Sequence, residues 1–268
     1  MRLFFIMKMD MGMAGAAYGT AVAQTLIALI LITHLAREKG TLRLNLKGIG
    51  LSKAKEILTI GTPTFFLELT SAMTIILFNY VLLNQFGEGY IIAYGLTTNV
   101  GIFALFVMVG IAQACQPILS FNHGARRPER IDETLTLGVK AAMGSGTVFL
   151  LGIWLSAPLI ASIYLGNAND LIPIAATALT FYFFGVPLMG LNMVIANLFQ
   201  AIDKPKQATL ISLCRGFVFV ALGVLLLPKL FPQNGIWASI VFAESLTAMI
   251  SLSMLLNYKR KALLPAYS

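Results

Sequence analysis

The feature that most constrains this chain is a series of seven long apolar stretches. They run approximately from Ala14 to Leu35, Ile57 to Phe86, Tyr90 to Leu119, Leu135 to Leu165, Leu171 to Ala201, Ala208 to Leu227 and Ile236 to Tyr258. A hydrocarbon layer about 30 Å thick takes about 20 residues of helix, and each stretch meets that length. In lipid every backbone N–H and C=O must find its partner inside the protein, so only helices or closed barrels cross. The stretches lack the every-second-residue alternation of barrel strands. The expected fold class is an all-α integral membrane protein of about seven transmembrane helices.

Composition agrees. Of 268 residues, 58% are hydrophobic and 11% charged, whereas a soluble domain carries about 25% charged residues. No long polar stretch is left to form a soluble catalytic domain. Cys115 and Cys214 sit within apolar stretches, which argues against a disulfide framework or a metal cluster. Met1 to Asp10 is too short for a cleavable signal, so the first helix is expected to serve as its own insertion signal.

The net charge of +8 would suit nucleic acid, but the placement of the basic residues gives it another meaning. One set of connections holds Arg37, Lys39, Arg43, Lys47, Lys53, Lys55, Arg126, Arg127, Arg130, Lys204, Lys206, Lys259, Arg260 and Lys261, fourteen in all. The alternate set holds three, Arg2, Lys8 and Lys229. Such asymmetry is the positive-inside signal. It predicts a multi-pass protein of the plasma (inner) membrane, with its carboxy terminus cytoplasmic and its amino terminus outside. No nucleic-acid partner is expected, because the basic residues are split among short segments without an aromatic-lined groove. Membrane lipids are expected partners through their headgroups.

The chain divides unevenly. Residues 1–35 form one lone helix, residues 36–55 a basic cytoplasmic linker, and residues 56–268 a set of six helices. An isolated helix ahead of an intact set of six predicts a missing amino-terminal lobe.

Ionisable residues inside a span cost about 2.5–3.5 kcal/mol each on insertion scales, so each needs an explanation. At 1.5 Å per residue, Glu68 lies about 5 Å, Glu244 about 3 Å and Arg215 about 4 Å from the middle of its stretch. Lys140 can snorkel to the interface. Arg215 and Glu244, at similar depth on the last two helices, form the expected ion pair. That leaves Glu68 to hold a proton, a sodium ion or a cationic substrate, five residues after Pro63, where a proline frees a backbone carbonyl.

Asn79, Asn99, Gln113, Gln116, Asn192, Asn197 and Gln200 supply neutral polar groups in the spans, expected mostly to bond between helices. Asn79, Gln113 and Asn192 join the two acids and the arginine as candidates for the ion or substrate site. Gly95, Gly101, Gly110, Gly144, Gly146, Gly185 and Gly190 are expected to permit close helix contact. His34 and His123 lack the partners of a nucleophile or metal site, and Asp132 and Glu133 have the look of helix-start residues. No enzyme and no cofactor beyond a coupling ion are therefore expected. A membrane-embedded transferase is the alternative from another class.

Specific strings add to this. "GMAGAAYGTAVAQ" (12–24), "GTPTFFLELTSA" (61–72), "AYGLTTNVG" (93–101) and "GIAQACQPILSFNHGARRPERI" (110–131) resemble the multidrug and toxic compound extrusion (MATE) family. "NLFQAIDKPKQATLISLCRG" (197–216) and "NGIWASIVFAESLT" (234–247) are similar to that family's last three helices. The resemblance implies helix six plus the second six-helix lobe of a twelve-helix pump. Such a pump would expel small cationic organic compounds in exchange for H+ or Na+. It also implies that Glu68 matches the acid of helix seven. A flippase of lipid-linked sugars, from the same superfamily, is the alternative cargo reading.

Overall fold

A computed structural model of the chain describes residues 12–36, 50–166, 168–232 and 234–263. The side chains of residues 54–68 lie outside that description. The described residues form seven helices and no strand. They are α1 (Gly12–Ala36), α2 (Leu51–Gln85), α3 (Glu88–Gly124), α4 (Pro128–Leu165), α5 (Ile172–Ala201), α6 (Pro205–Leu230) and α7 (Gly235–Leu263). The chain separates into two compact units, residues 1–60 and 61–268.

From α3 to α7, all five helices are long and apolar enough to cross a membrane. Within the described residues, α1 and α2 contribute shorter apolar stretches, Ala17–Thr33 and Leu69–Gln85. Several helices start earlier than apolarity alone predicts. α2 begins at Leu51, inside the stretch expected as linker, where "LSKAKEIL" holds no helix breaker. α4 begins at Pro128, seven residues ahead of Leu135, with proline in the first turn where its missing N–H costs nothing. These first turns are polar, so hydropathy does not mark them.

Two connections on the basic face of the protein share one design. The N–H of Arg127 bonds Asn122 O at 2.9 Å, and the N–H of Lys204 bonds Phe199 O at 2.8 Å. Both close a helix through a residue of positive φ, Arg126 at 54° and Asp203 at 56°. This is the six-to-one closure of a helix end. In each case a basic residue and then a proline follow, and the proline opens the next helix.

α5 is the centre of the larger unit. It packs against α3, α4, α6 and α7, and 56% of its apolar window is buried, against 17–33% for the other four spans. Close approach at this centre depends on missing side chains. A Cβ on Gly146 would meet Pro187 Cα at 2.7 Å, and one on Gly190 would meet Met108 Sδ at 2.6 Å. Gly101 lies as tightly under the Tyr182 ring, and Gly185 touches Ile240. Gly95, Gly110 and Gly144 make no such close contact among the described residues, since an added Cβ would meet nothing within 4 Å.

Gly146→Ala should therefore lower the melting temperature in detergent by the equivalent of about 1–3 kcal/mol, the usual cost of overpacking against rigid backbone. Gly144→Ala, two residues away, should not lower it. A thermal-shift comparison of the two variants checks this.

Candidate functional site

Three of the six predicted site residues come together in the middle of the larger unit. Glu244 on α7 and Asn192 on α5 are 4% and 0% exposed, while the Arg215 side chain on α6 keeps 19% exposure. Arg215 Nη2 donates to Glu244 Oε1 at 2.9 Å and Nε donates to the same oxygen at 3.2 Å. Asn192 Nδ2 donates to Glu244 Oε2 at 2.8 Å and to the Glu244 carbonyl at 3.0 Å. Both carboxylate oxygens are thus satisfied, each by a different helix. The ion pair expected from sequence is present, and Asn192 completes it.

The Asn192 amide orientation follows from its neighbours, since both are oxygens and only the NH2 end can face them. Its Oδ1 is left buried without a hydrogen-bond partner among the described residues. The hydrogen-bonding arrangement tolerates no inversion, because a flipped amide would set its Oδ1 acceptor against two others, the Glu244 carboxylate and carbonyl oxygens.

Local helix geometry aims Arg215. Residues Cys214–Val218 form a π-helical turn inside α6, with the Phe219 N–H reaching back to Cys214 O. Turns of this type concentrate at functional sites because the wider ring re-aims a side chain and frees a carbonyl. Here the Gly216 carbonyl accepts the Thr74 Oγ1 hydroxyl of α2 at 2.6 Å. Thr74 and the π turn are parts of the site that the apolar pattern did not single out. The signal the sequence offered there was a glycine, Gly216, directly after the in-span Arg215.

The remaining predicted residues stand apart. Glu68 falls within α2, but its side chain lies outside the described residues. Asn79 is half-buried and Gln113 exposed, and neither makes a hydrogen bond among the described residues. Most asparagines in the spans do not bond between helices as expected. Asn99 and Asn197 donate to the carbonyls four residues back, Gly95 and Met193. A short side chain reaches its own helix backbone more easily than a neighbouring helix. Asn99 adds only a long 3.5 Å contact to Tyr164 Oη.

Asp132 and Glu133 are also corrected. They lie beyond the first turn of α4, where Asp132 pairs with Lys259 of α7 and Glu133 accepts from Arg130 at 2.9 Å. Lys204 sits over the Tyr258 ring at 4.3 Å, so α7 is fastened to α4 and to the α5–α6 connection at the basic face. Cys115 and Cys214 are free and buried. A cavity of about 600 Å³ at the α6–α7 turn is lined by Phe181, Leu230, Phe231 and Pro232, and by none of the predicted site residues. The ionic cluster is the stronger candidate, because it holds the chemistry.

The family model named MatE matches residues 63–225, more than half of the chain. The chain belongs to the MATE family. Multidrug export protein MepA of Staphylococcus haemolyticus (strain JCSC1435) is 22% identical over 258 residues, which is 96% of this chain and 56% of that protein. The protein of the same name from Staphylococcus aureus (strain MSSA476) is 22% identical over 92% of this chain and 54% of its own length. This chain spans about half the length of the curated relatives it matches. The outward-facing conformation of a multidrug resistance MATE family transporter of the MOP superfamily shares the fold with TM-score 0.81 at 20% identity, over 97% of this chain and 59% of that one. The inward-facing conformation of such a transporter gives 0.82 at 20% identity, over 99% and 61%. These relatives are transporters and not enzymes, and the transferase reading is dropped.

Replacing one member of the cluster should strand a buried charge, at a cost of about 3–5 kcal/mol, whereas removing both charges should cost far less. Arg215→Met or Glu244→Gln alone should thus melt well below the parent chain, and the double variant should recover most of the loss. A double-mutant cycle of melting temperatures measures that recovery.

Proposed function

We propose that this chain is helix six plus the second lobe of an ion-coupled multidrug exporter. The exporter expels small cationic organic compounds in exchange for H+ or Na+, by alternating access about a site shared with a first lobe. The observation that carries this reading is the near-equal likeness of the chain to an outward-facing and an inward-facing MATE transporter. A lobe that resembles both states supports rigid-body rocking of one lobe against the other. The relatives named as multidrug export proteins support the cargo class. The fourteen-to-three division of basic residues supports a cytoplasmic carboxy terminus in the plasma (inner) membrane.

Within this reading the described acid, Glu244, is a brace. Arg215 and Asn192 satisfy it fully, so it holds α5, α6 and α7 in register while the lobe moves. Coupling falls to Glu68, the other acid deep in a span. The pairing of Arg215 also weighs against the flippase alternative, because an anionic headgroup would have to displace Glu244 from it.

Drug-sensitive cells producing the chain joined to the first lobe of MepA should lose preloaded ethidium several-fold faster than cells producing either part. Glu68→Gln should abolish that efflux at unchanged expression, and dissipating the proton or sodium gradient should do the same. Efflux that survives both Glu68→Gln and loss of the gradients would overturn ion coupling through this residue. Absence of efflux with the intact pairing would overturn the exporter reading itself.

A further inference from the structure

The end of α3 and the start of α4 enclose a groove of about 440 Å³ that the transport reading does not use. One wall is apolar and open to the outside of the unit, with Ile118 50%, Phe121 72% and Leu137 68% exposed. Its polar end is formed by Arg127 and Arg130 together with Asn122, Glu133 and Thr134. These two arginines also line an adjoining polar recess of about 410 Å³, together with Arg126. An apolar trough that runs into an arginine-lined recess at the membrane's basic face has the polarity of a phospholipid, with tail on one side and phosphate on the other.

Charge decides which phospholipid. Arg130 is already held by Glu133, but Arg126 and Arg127 have no ion pair among the described residues. The neighbouring basic side chains Lys204 and Lys259 are engaged by Tyr258 and Asp132. The recess and groove together are lined by three arginines and two carboxylates, Glu129 and Glu133, which leaves a net excess of one positive charge. A headgroup with a net negative charge gains from that excess, whereas the ammonium of a zwitterionic headgroup does not. Guanidinium groups also suit a phosphodiester, because their donors fork onto two oxygens.

We propose that this groove is a binding site for one anionic phospholipid, its phosphate between Arg126 and Arg127 and one acyl chain along Ile118, Phe121 and Leu137. The groove shares no lining residue with the Arg215–Glu244–Asn192 cluster, so the site is distinct from it.

Native mass spectrometry of the full chain, released from vesicles of equal phosphatidylglycerol and phosphatidylcholine, tests this. The parent chain should retain phosphatidylglycerol selectively. Arg126→Gln with Arg127→Gln should weaken retention by about thirtyfold, the combined contribution expected of two arginines at an anionic surface. Both residues are exposed, and an unchanged melting temperature confirms that the variant is folded. Leu137→Asn should also weaken retention, because it damages only the tail wall, and inorganic phosphate should not displace the lipid. Equal retention of the two lipids by the parent chain would overturn the site. So would full retention by the double variant, or displacement of the lipid by inorganic phosphate.

Discussion

Hydrocarbon offers a backbone amide no partner, and the rest of this structure follows from that fact. It forces the chain into helices, and with every helix surrounded by solvent as apolar as itself, burial alone gives little reason for one to choose another. Contact and polarity have to do the choosing. Contact is supplied where a side chain is missing, as at Gly146 against Pro187 and Gly190 against Met108. Polarity is supplied in the core, where Glu244 gathers a donor from α5 and another from α6.

A buried ion pair is weak evidence of stability, since desolvation offsets much of its attraction. Its value is in specifying one arrangement. Two guanidinium donors on Oε1 and a separate amide on Oε2 fix the rotation of three helices about their own axes, which apolar packing leaves loose. The π turn is the local distortion that makes this possible, because it re-aims Arg215 while Thr74 of α2 satisfies the Gly216 carbonyl. Four helices meet at one carboxylate and one irregular turn.

Much of this was legible in the sequence, for identifiable reasons. The spans and the Arg215–Glu244 pair could be read because hydrophobic length and charge depth are one-dimensional quantities. Helix starts such as Leu51 and Pro128 could not, because a polar first turn has no apolar signature. Asn192 could be read as one of three candidate amides, but not as the partner of Glu244. Nothing in composition separates an asparagine that crosses to Glu244 from Asn99 or Asn197, which turn back onto their own helices. The π turn was invisible, since a single residue of extra winding leaves the hydropathy pattern intact. Gly95, Gly110 and Gly144 show the opposite case, in which a residue type suggests a close contact that is not made among the described residues.

The tight α6–α7 turn has a consequence for how the protein is made. Gly235 lies so close to the end of α6 that any side chain there would collide with the Leu227 carbonyl, so the two helices meet back to back at once. During synthesis Arg215 emerges before Glu244, and alone it is a cation with no counterion in the bilayer. A turn this short lets both helices enter the membrane as one hairpin, which would spare Arg215 the cost of crossing without its counterion.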